Sequence, residues 1–225
     1  MSTAERRRRE REQRREAIIS AAELVFYDRG YTDARMDDIA ARAQLSKGAL
    51  YQYFKSKEDL LLAVTLRWRG LLLDAFTAEL SQRRSGIAQV RALLRRTMEF
   101  LTDHPERVRL MLQVMAGGPF EPDRDSETFS ATRERGMRLF ERMAEAVEQG
   151  KQDGTLRRDL DPMMLFLHLW GSAIGVAIEV QFARIDPETE IIERELGFSL
   201  DSILPSFVDF FTDALRPRAA GGGHE

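Results

Sequence analysis

The chain has 225 residues, with 34 lysines and arginines against 37 aspartates and glutamates, a formal net charge of −3 and no cysteine. That balance does not announce a nucleic-acid partner, and the missing thiols exclude disulfides, thiolate metal sites and a cysteine nucleophile. The length admits a small domain beside a larger one, and no apolar signal segment follows the charged start, so a cytoplasmic protein is expected.

The first fifteen residues hold seven arginines against three glutamates. Two readings stand side by side: a flexible arm that reaches phosphates or a minor groove, and a solvated extension of the first helix laced by pairs such as Arg6 with Glu10 and Arg8 with Glu12. Helix 1 proper is expected near Arg14 to Arg29, burying Ile18, Ala22, Val25 and Phe26 and ending at Gly30. Two short helices follow. Ile39, Ala40 and Ala43 make the apolar face of one, Leu45 lies in the turn, and Leu50 and Phe54 supply the face of the other, which Ser46 is placed to cap. Lys47, Gly48, Ala49, Tyr51, Gln52 and Tyr53 then point away from that face, a set of donors, small side chains and phenols suited to a major groove. Residues 1 to 60 carry 13 basic against 11 acidic side chains, and the remainder 21 against 26.

Gly30-Tyr31 followed by MDDIAARAQLSKGALYQYFKSKEDLL resembles the helix-turn-helix of the tetracycline-repressor (TetR) family, over Gly30 to about Leu62. The resemblance implies a helix-turn-helix domain at residues 1–60, a helical effector-binding and dimerisation domain at 61–216 and a tail at 217–225. It also implies phosphate contacts from Tyr51, Tyr53 and Lys57 and base-edge contacts from Lys47, Gly48, Ala49 and Gln52, with Lys55 and Arg35 as further cations. Both tyrosines otherwise serve to cover the domain's core. Gln52 is the candidate for direct reading, since its amide can bond adenine bidentately. Two departures bear on stability: Ala34-Arg35 stands where the family has a Thr-Ser or Thr-Thr pair, and Gln44 where it has glycine. A missing capping hydroxyl costs about 0.5–2 kcal/mol unless Thr32 or Asp33 replaces it.

Ser56 opens a helix expected to run to about Ser81, with Gly70 at a bend or a close contact and Trp68 either in the core or on a pocket wall. Amphipathic helices are expected from Ile87 to just before His104 and from Pro105 to Gly117-Gly118-Pro119. After a loop at Glu121 to Ser126, another is expected to reach about Gln149 with Phe129, Met137, Phe140, Met143, Ala144 and Val147 on its apolar side. GKQDGTLRRDLDP reads as turns. Pro162 to Phe182 is hydrophobic almost all round. His168, Glu179 and Gln181 argue against a membrane span, so the helix is buried by something: Met164, Phe166 and Trp170 facing the body while Gly171 and Gly175 meet a partner. A last helix near Ser199 to Leu215 carries Phe207 and Phe211 among more apolar surface than a monomer exposes. No strand alternation appears, and the chain reads as all-α.

No serine-nucleophile elbow, metal-ligand spacing or cofactor loop is present, so neither an enzyme nor a metal or cofactor site is expected. His168 is either a core histidine or a polar group fixing a ligand. A helical module that binds only other proteins would leave the outward set of the second short helix unused. The reading is a homodimeric regulator, most simply a repressor, on a palindromic double-stranded operator. A small, largely apolar effector would release it, lined by Met98, Met111, Met115, Phe140, Met143, Phe166, His168 and Trp170.

Overall fold

The computed structural model describes residues 2–82, 84–116, 120–197 and 199–217, the side chains of 115 and 116 excepted. Among them are ten α-helices and no strand: α1 (Thr3–Asp33), α2 (Met36–Arg42), α3 (Lys47–Tyr51), α4 (Lys57–Leu80), α5 (Gly86–Thr102), α6 (Pro105–Ala116), α7 (Glu127–Gln152), α8 (Pro162–Ile185), α9 (Thr189–Leu196) and α10 (Leu200–Ala214). They gather into two units, Met1–Gly70 with Arg109–Arg135, and Leu71–Val108 with Gly136–Glu225. The first unit thus runs further along α4 than residue 60 and takes in a second segment. The stop expected at Gly117-Gly118-Pro119 and the tail beyond Pro217 fall outside the described residues.

In the first unit α1 buries Ile18, Ile19, Ala22, Val25 and Phe26, one stripe at helical spacing. It begins well before Arg14. The Glu5 amide donates to Ser2 Oγ at 3.2 Å and the Ser2 amide to Glu5 Oε2 at 2.7 Å, a capping box. The arginine-rich opening is therefore helical, and Arg6 pairs with Glu10 at 3.5 Å. Gly30 breaks the helix at φ 77° and ψ 167°, a conformation open to glycine, and a Cβ there would stand 2.9 Å from Gln113. Trp68 is core: it is 6% exposed and its Nε1 donates to Glu23 at 2.6 Å. Gly70 marks a close approach, since a Cβ would meet the Arg135 guanidinium at 2.6 Å. Beside it the Arg69 guanidinium donates to the Thr132 carbonyl at 2.5 Å, and Thr132 Oγ1 to the Leu62 carbonyl at 3.3 Å.

The second unit is built on α5, α8 and α10, which pack on one another. α5 contributes Val90, Leu93, Leu94, Thr97, Met98 and Leu101, and α8 contributes Leu165, Leu169, Ala173, Ala177 and Val180. The turn after α7 seats the start of α5. Asp153 accepts the Gly86 amide at 2.7 Å and Thr155 the Ile87 amide at 3.1 Å, and a Cβ on Gly86 would lie 2.0 Å from the Gly150 nitrogen. Hydrogen bonds from Thr155 and from the Gly86 amide hold the Asp153 carboxyl below its ordinary range. α8 is long and apolar enough to cross a membrane by length and composition, with a mean hydropathy of 1.7, and 28% of that stretch is buried; its buried strip packs on α5 and α10.

Two expectations are corrected here. Met164 does not face the body: it is 53% exposed, on the same outward side of α8 as Leu167, Gly171 and Gly175, because Leu165 and Leu169 take the inward positions. Met137 is exposed rather than on the packed side of α7. α9 had no counterpart in the sequence reading.

Candidate nucleic-acid interface

The reader is assembled from α2, a tight turn and α3. Ile39 and Ala40 on α2 and Leu50 on α3 are buried, and Ser46 Oγ accepts the Ala49 amide at 3.2 Å, capping α3 as its sequence suggests. The turn passes through Gln44 at φ 56°, left-handed backbone that favours glycine. Arg35 is the N-cap of α2 and makes no side-chain cap bond. Asp38 instead accepts the Arg35 amide at 3.3 Å, closing half of a capping box.

α3 and the residues just after it turn part of the expected set outward. Lys47, Gly48, Tyr51 and Gln52 are exposed, and Ala49 is half-buried. Nothing lies within 4 Å of the place where a Gly48 side chain would begin, so the backbone there is open. Lys47 is tied to Asp37 of α2 at 2.9 Å, and that hydrogen bond and charge hold its ammonium above its ordinary value. Tyr53 is half-buried under the Arg11 guanidinium, 5.6 Å from its ring centroid, so it packs as well as borders the surface. Lys55 is exposed, and its amide donates to Asp59 at 3.3 Å.

Lys57 has a task that its sequence position concealed. Its ammonium donates to the carbonyls of Tyr31 at 2.7 Å and Thr32 at 3.0 Å and lies 4.6 Å from the Tyr31 ring centroid. Those carbonyls follow the break at Gly30, and the lysine satisfies them. Beside it the Tyr31 hydroxyl donates to Glu58 at 2.9 Å. Burial, then that bond and the Glu58 charge, push the Tyr31 phenol well up. Burial of Glu58 opposes its ionisation. A backbone amide, Tyr31, Ser56 and the Lys57 charge together outweigh it and leave the carboxyl below its ordinary value.

Comparison with known proteins identifies this arrangement. Residues 18–64 match the model for bacterial regulatory proteins of the tetR family, and residues 87–178 the tetracyclin repressor-like C-terminal domain. The HTH-type transcriptional regulator RutR of Escherichia coli (strain K12) is 30% identical over 176 residues, 76% of this chain and 77% of that protein. The chain belongs to the tetR family. Like its family it is a DNA-binding transcriptional regulator and not an enzyme. The HTH-type transcriptional activator FasR of Mycolicibacterium smegmatis is 37% identical over 103 residues, 46% of this chain, and the match spans about half of FasR, 47%. The fold is shared with FadR from Bacillus subtilis, solved in complex with stearoyl-CoA (TM-score 0.65, 16% identity, covering 89% of this chain and 99% of that one). It is shared also with AibR in complex with isovaleryl coenzyme A and operator DNA (TM-score 0.61, 22% identity, covering 91% and 98%).

The other residues singled out in this tetR-family chain are dispersed. Phe140 and Phe166 meet edge to face at 5.8 Å, joining α7 to α8, and Trp170 is half-buried. Met98 and Met143 are core side chains, 1% and 3% exposed. Met111 belongs to the first unit and not to the second, and the side chain of Met115 lies outside the described residues. His168 is exposed on the outward side of α8, which corrects its placement in the core. Gly171 and Gly175 are exposed with nothing near them. On α10, Phe207 is 9% exposed and packs on the half-buried Phe211 with ring centroids 4.7 Å apart. Phe207 is thus largely spent inside its own protomer, and the apolar edge that α10 offers is Phe210, 70% exposed.

Proposed function

We propose that the chain works in the cytoplasm as a homodimer whose two α3 helices read the halves of a palindromic operator, and that a small, largely apolar effector bound by the second unit releases it. The observation that carries the DNA half of this reading is the outward face of α3, where Gln52 and Tyr51 stand exposed beside the open backbone at Gly48. Two-fold symmetry places such helices about 34–36 Å apart or at a wider multiple. Support for the dimer comes from α8, whose outward side carries Met164, Leu167, Gly171, Gly175 and Phe182, a largely apolar strip interrupted by His168 and Glu179 on a single protomer. Glycines four residues apart admit close helix approach.

Acyl-CoA thioesters are the first effector class to test, because two fold neighbours are solved with them. An effector acts only through different affinity for the DNA-bound and released shapes. The experiment is selection of duplexes from random sequence by the full chain, repeated with stearoyl-CoA and isovaleryl-CoA. The expected result is a palindromic motif whose enrichment falls with one of them. A motif without two-fold symmetry refutes the paired reader, and enrichment that neither thioester changes refutes that effector class.

A further inference from the structure

The opening of α1 lies before the part of the chain matched by the family model, which starts at residue 18. It is helical and carries seven arginines. A charged helix end is ordinarily a solvated face; this one is distinguished by how its charges are sorted. At about 100° per residue, Arg7, Arg8, Arg14 and Arg15 fall within about 60° of Arg11, whereas Glu5, Glu10, Glu12 and Glu16 all lie about 100° or more away. A helix stabilised only by its own ion pairs mixes signs along each side. Here one face holds five arginines and no carboxylate.

Two rings fix where that face points. The Arg11 guanidinium lies over Tyr53 and the Arg15 guanidinium over Phe54, 5.1 Å from its centroid. Both residues lie just past α3, Phe54 buried and Tyr53 half-buried beside the exposed Tyr51 and Gln52, so it is through Arg11 that the arginine face reaches the edge of the surface presenting Tyr51 and Gln52. Among the described residues Arg7, Arg8 and Arg14 make no ion pair, while Arg6, on the other side, is held by Glu10.

We infer that this face is a second DNA contact, a helical arm laid on the phosphates that flank each half-site. The inference rests on α3 being the major-groove reader. A helix is about 10 Å across and a minor groove about 6 Å wide, so an arm that is helical meets the sugar-phosphate backbone and not the groove floor. Its guanidinium forks suit phosphate oxygens. From Arg11 back to Thr3 the arm extends about 12 Å past its contact with Tyr53, enough to follow the strand outward from the site. Such contacts add affinity and salt dependence without sequence preference.

The test compares two full-length variants of equal charge, Arg7→Ala/Arg8→Ala on the face and Arg6→Ala/Arg9→Ala off it. Both are titrated with salt on the duplex that the unaltered chain selects, with long flanks and with flanks trimmed. The first pair is expected to lose about tenfold or more in affinity at physiological salt and to flatten the salt slope by roughly 0.9 per phosphate contact removed, with the base preference unchanged. The second pair is expected to keep the unaltered slope, and trimming the flanks to erase the difference between them. Equal losses in both pairs, which would mean that net charge alone acts, overturn the arm contact, and so do unchanged slopes in both. An unaltered chain that selects no duplex removes the reader and the arm together, a result distinct from either.

Discussion

Gln44 occupies left-handed backbone that costs a residue with a Cβ about 1–2 kcal/mol, partly offset because glycine gains entropy in the unfolded chain. Gln44→Gly is therefore expected to stabilise the chain by about 1 kcal/mol, read as a higher urea midpoint at unchanged slope. Arg35→Thr restores a capping hydroxyl and is expected to add about 0.5–1 kcal/mol while weakening DNA binding. Both positions were legible in the sequence as departures from a pattern. Lys57 was not, because a lysine beside a helix start reads as a free cation, and only the fold brings it to carbonyls 26 and 25 residues away. Lys57→Ala is expected to cost about 2 kcal/mol of stability, so lost DNA affinity in that variant is interpretable only beside its unfolding curve. Its neighbours set a pH dependence. The Tyr31 phenol is raised, so its contribution is complete below its ordinary value near 10 and is lost as pH climbs above it. Glu58 is lowered, so its share is complete above the ordinary carboxylate range and is lost in acid. Tyr31→Phe is expected to remove the alkaline limb from a plot of stability against pH.

Helices whose apolar residues fall on one stripe were readable in advance, and α5 is the clear case. α8 was harder for a physical reason: apolar residues nearly all round give no period, so nothing in the order of Met163, Met164 and Leu165 says which one turns inward. α9 was missed because it is only eight residues long; its Ile191, Ile192 and Leu196 stay exposed. The junction of α5 with the turn after α7 was legible as turn chemistry but not as a contact. There two glycines from distant parts of the sequence touch backbone to backbone. Gly86→Ala is expected to cost about 3 kcal/mol or to prevent folding, whereas Gly154→Ala, in open space at φ 74°, is expected to cost about 1–2 kcal/mol.

Association of two chains has a clean probe in the same helix that resisted reading. Because Gly171 and Gly175 meet nothing in the protomer, alanine at either should stabilise an isolated chain by about 1 kcal/mol, the ordinary helix-interior gain. If the glycines lie in a dimer interface, Gly175→Arg should yield a 25.8 kDa species in sedimentation with its helical spectrum intact. A dimer that survives Gly175→Arg would move the interface away from this strip.

The interleaving of the first unit bears on how the protein can be handled. Gln113 stands against Gly30, Phe120 packs edge-on to Tyr31 at 6.4 Å, and Thr132 bonds to Leu62. A fragment ended after α4 would keep every side chain proposed to meet the duplex yet strip the scaffolding behind the break in α1. Such a peptide should melt early and bind feebly, and restoring residues 109–135 should rescue both properties at once.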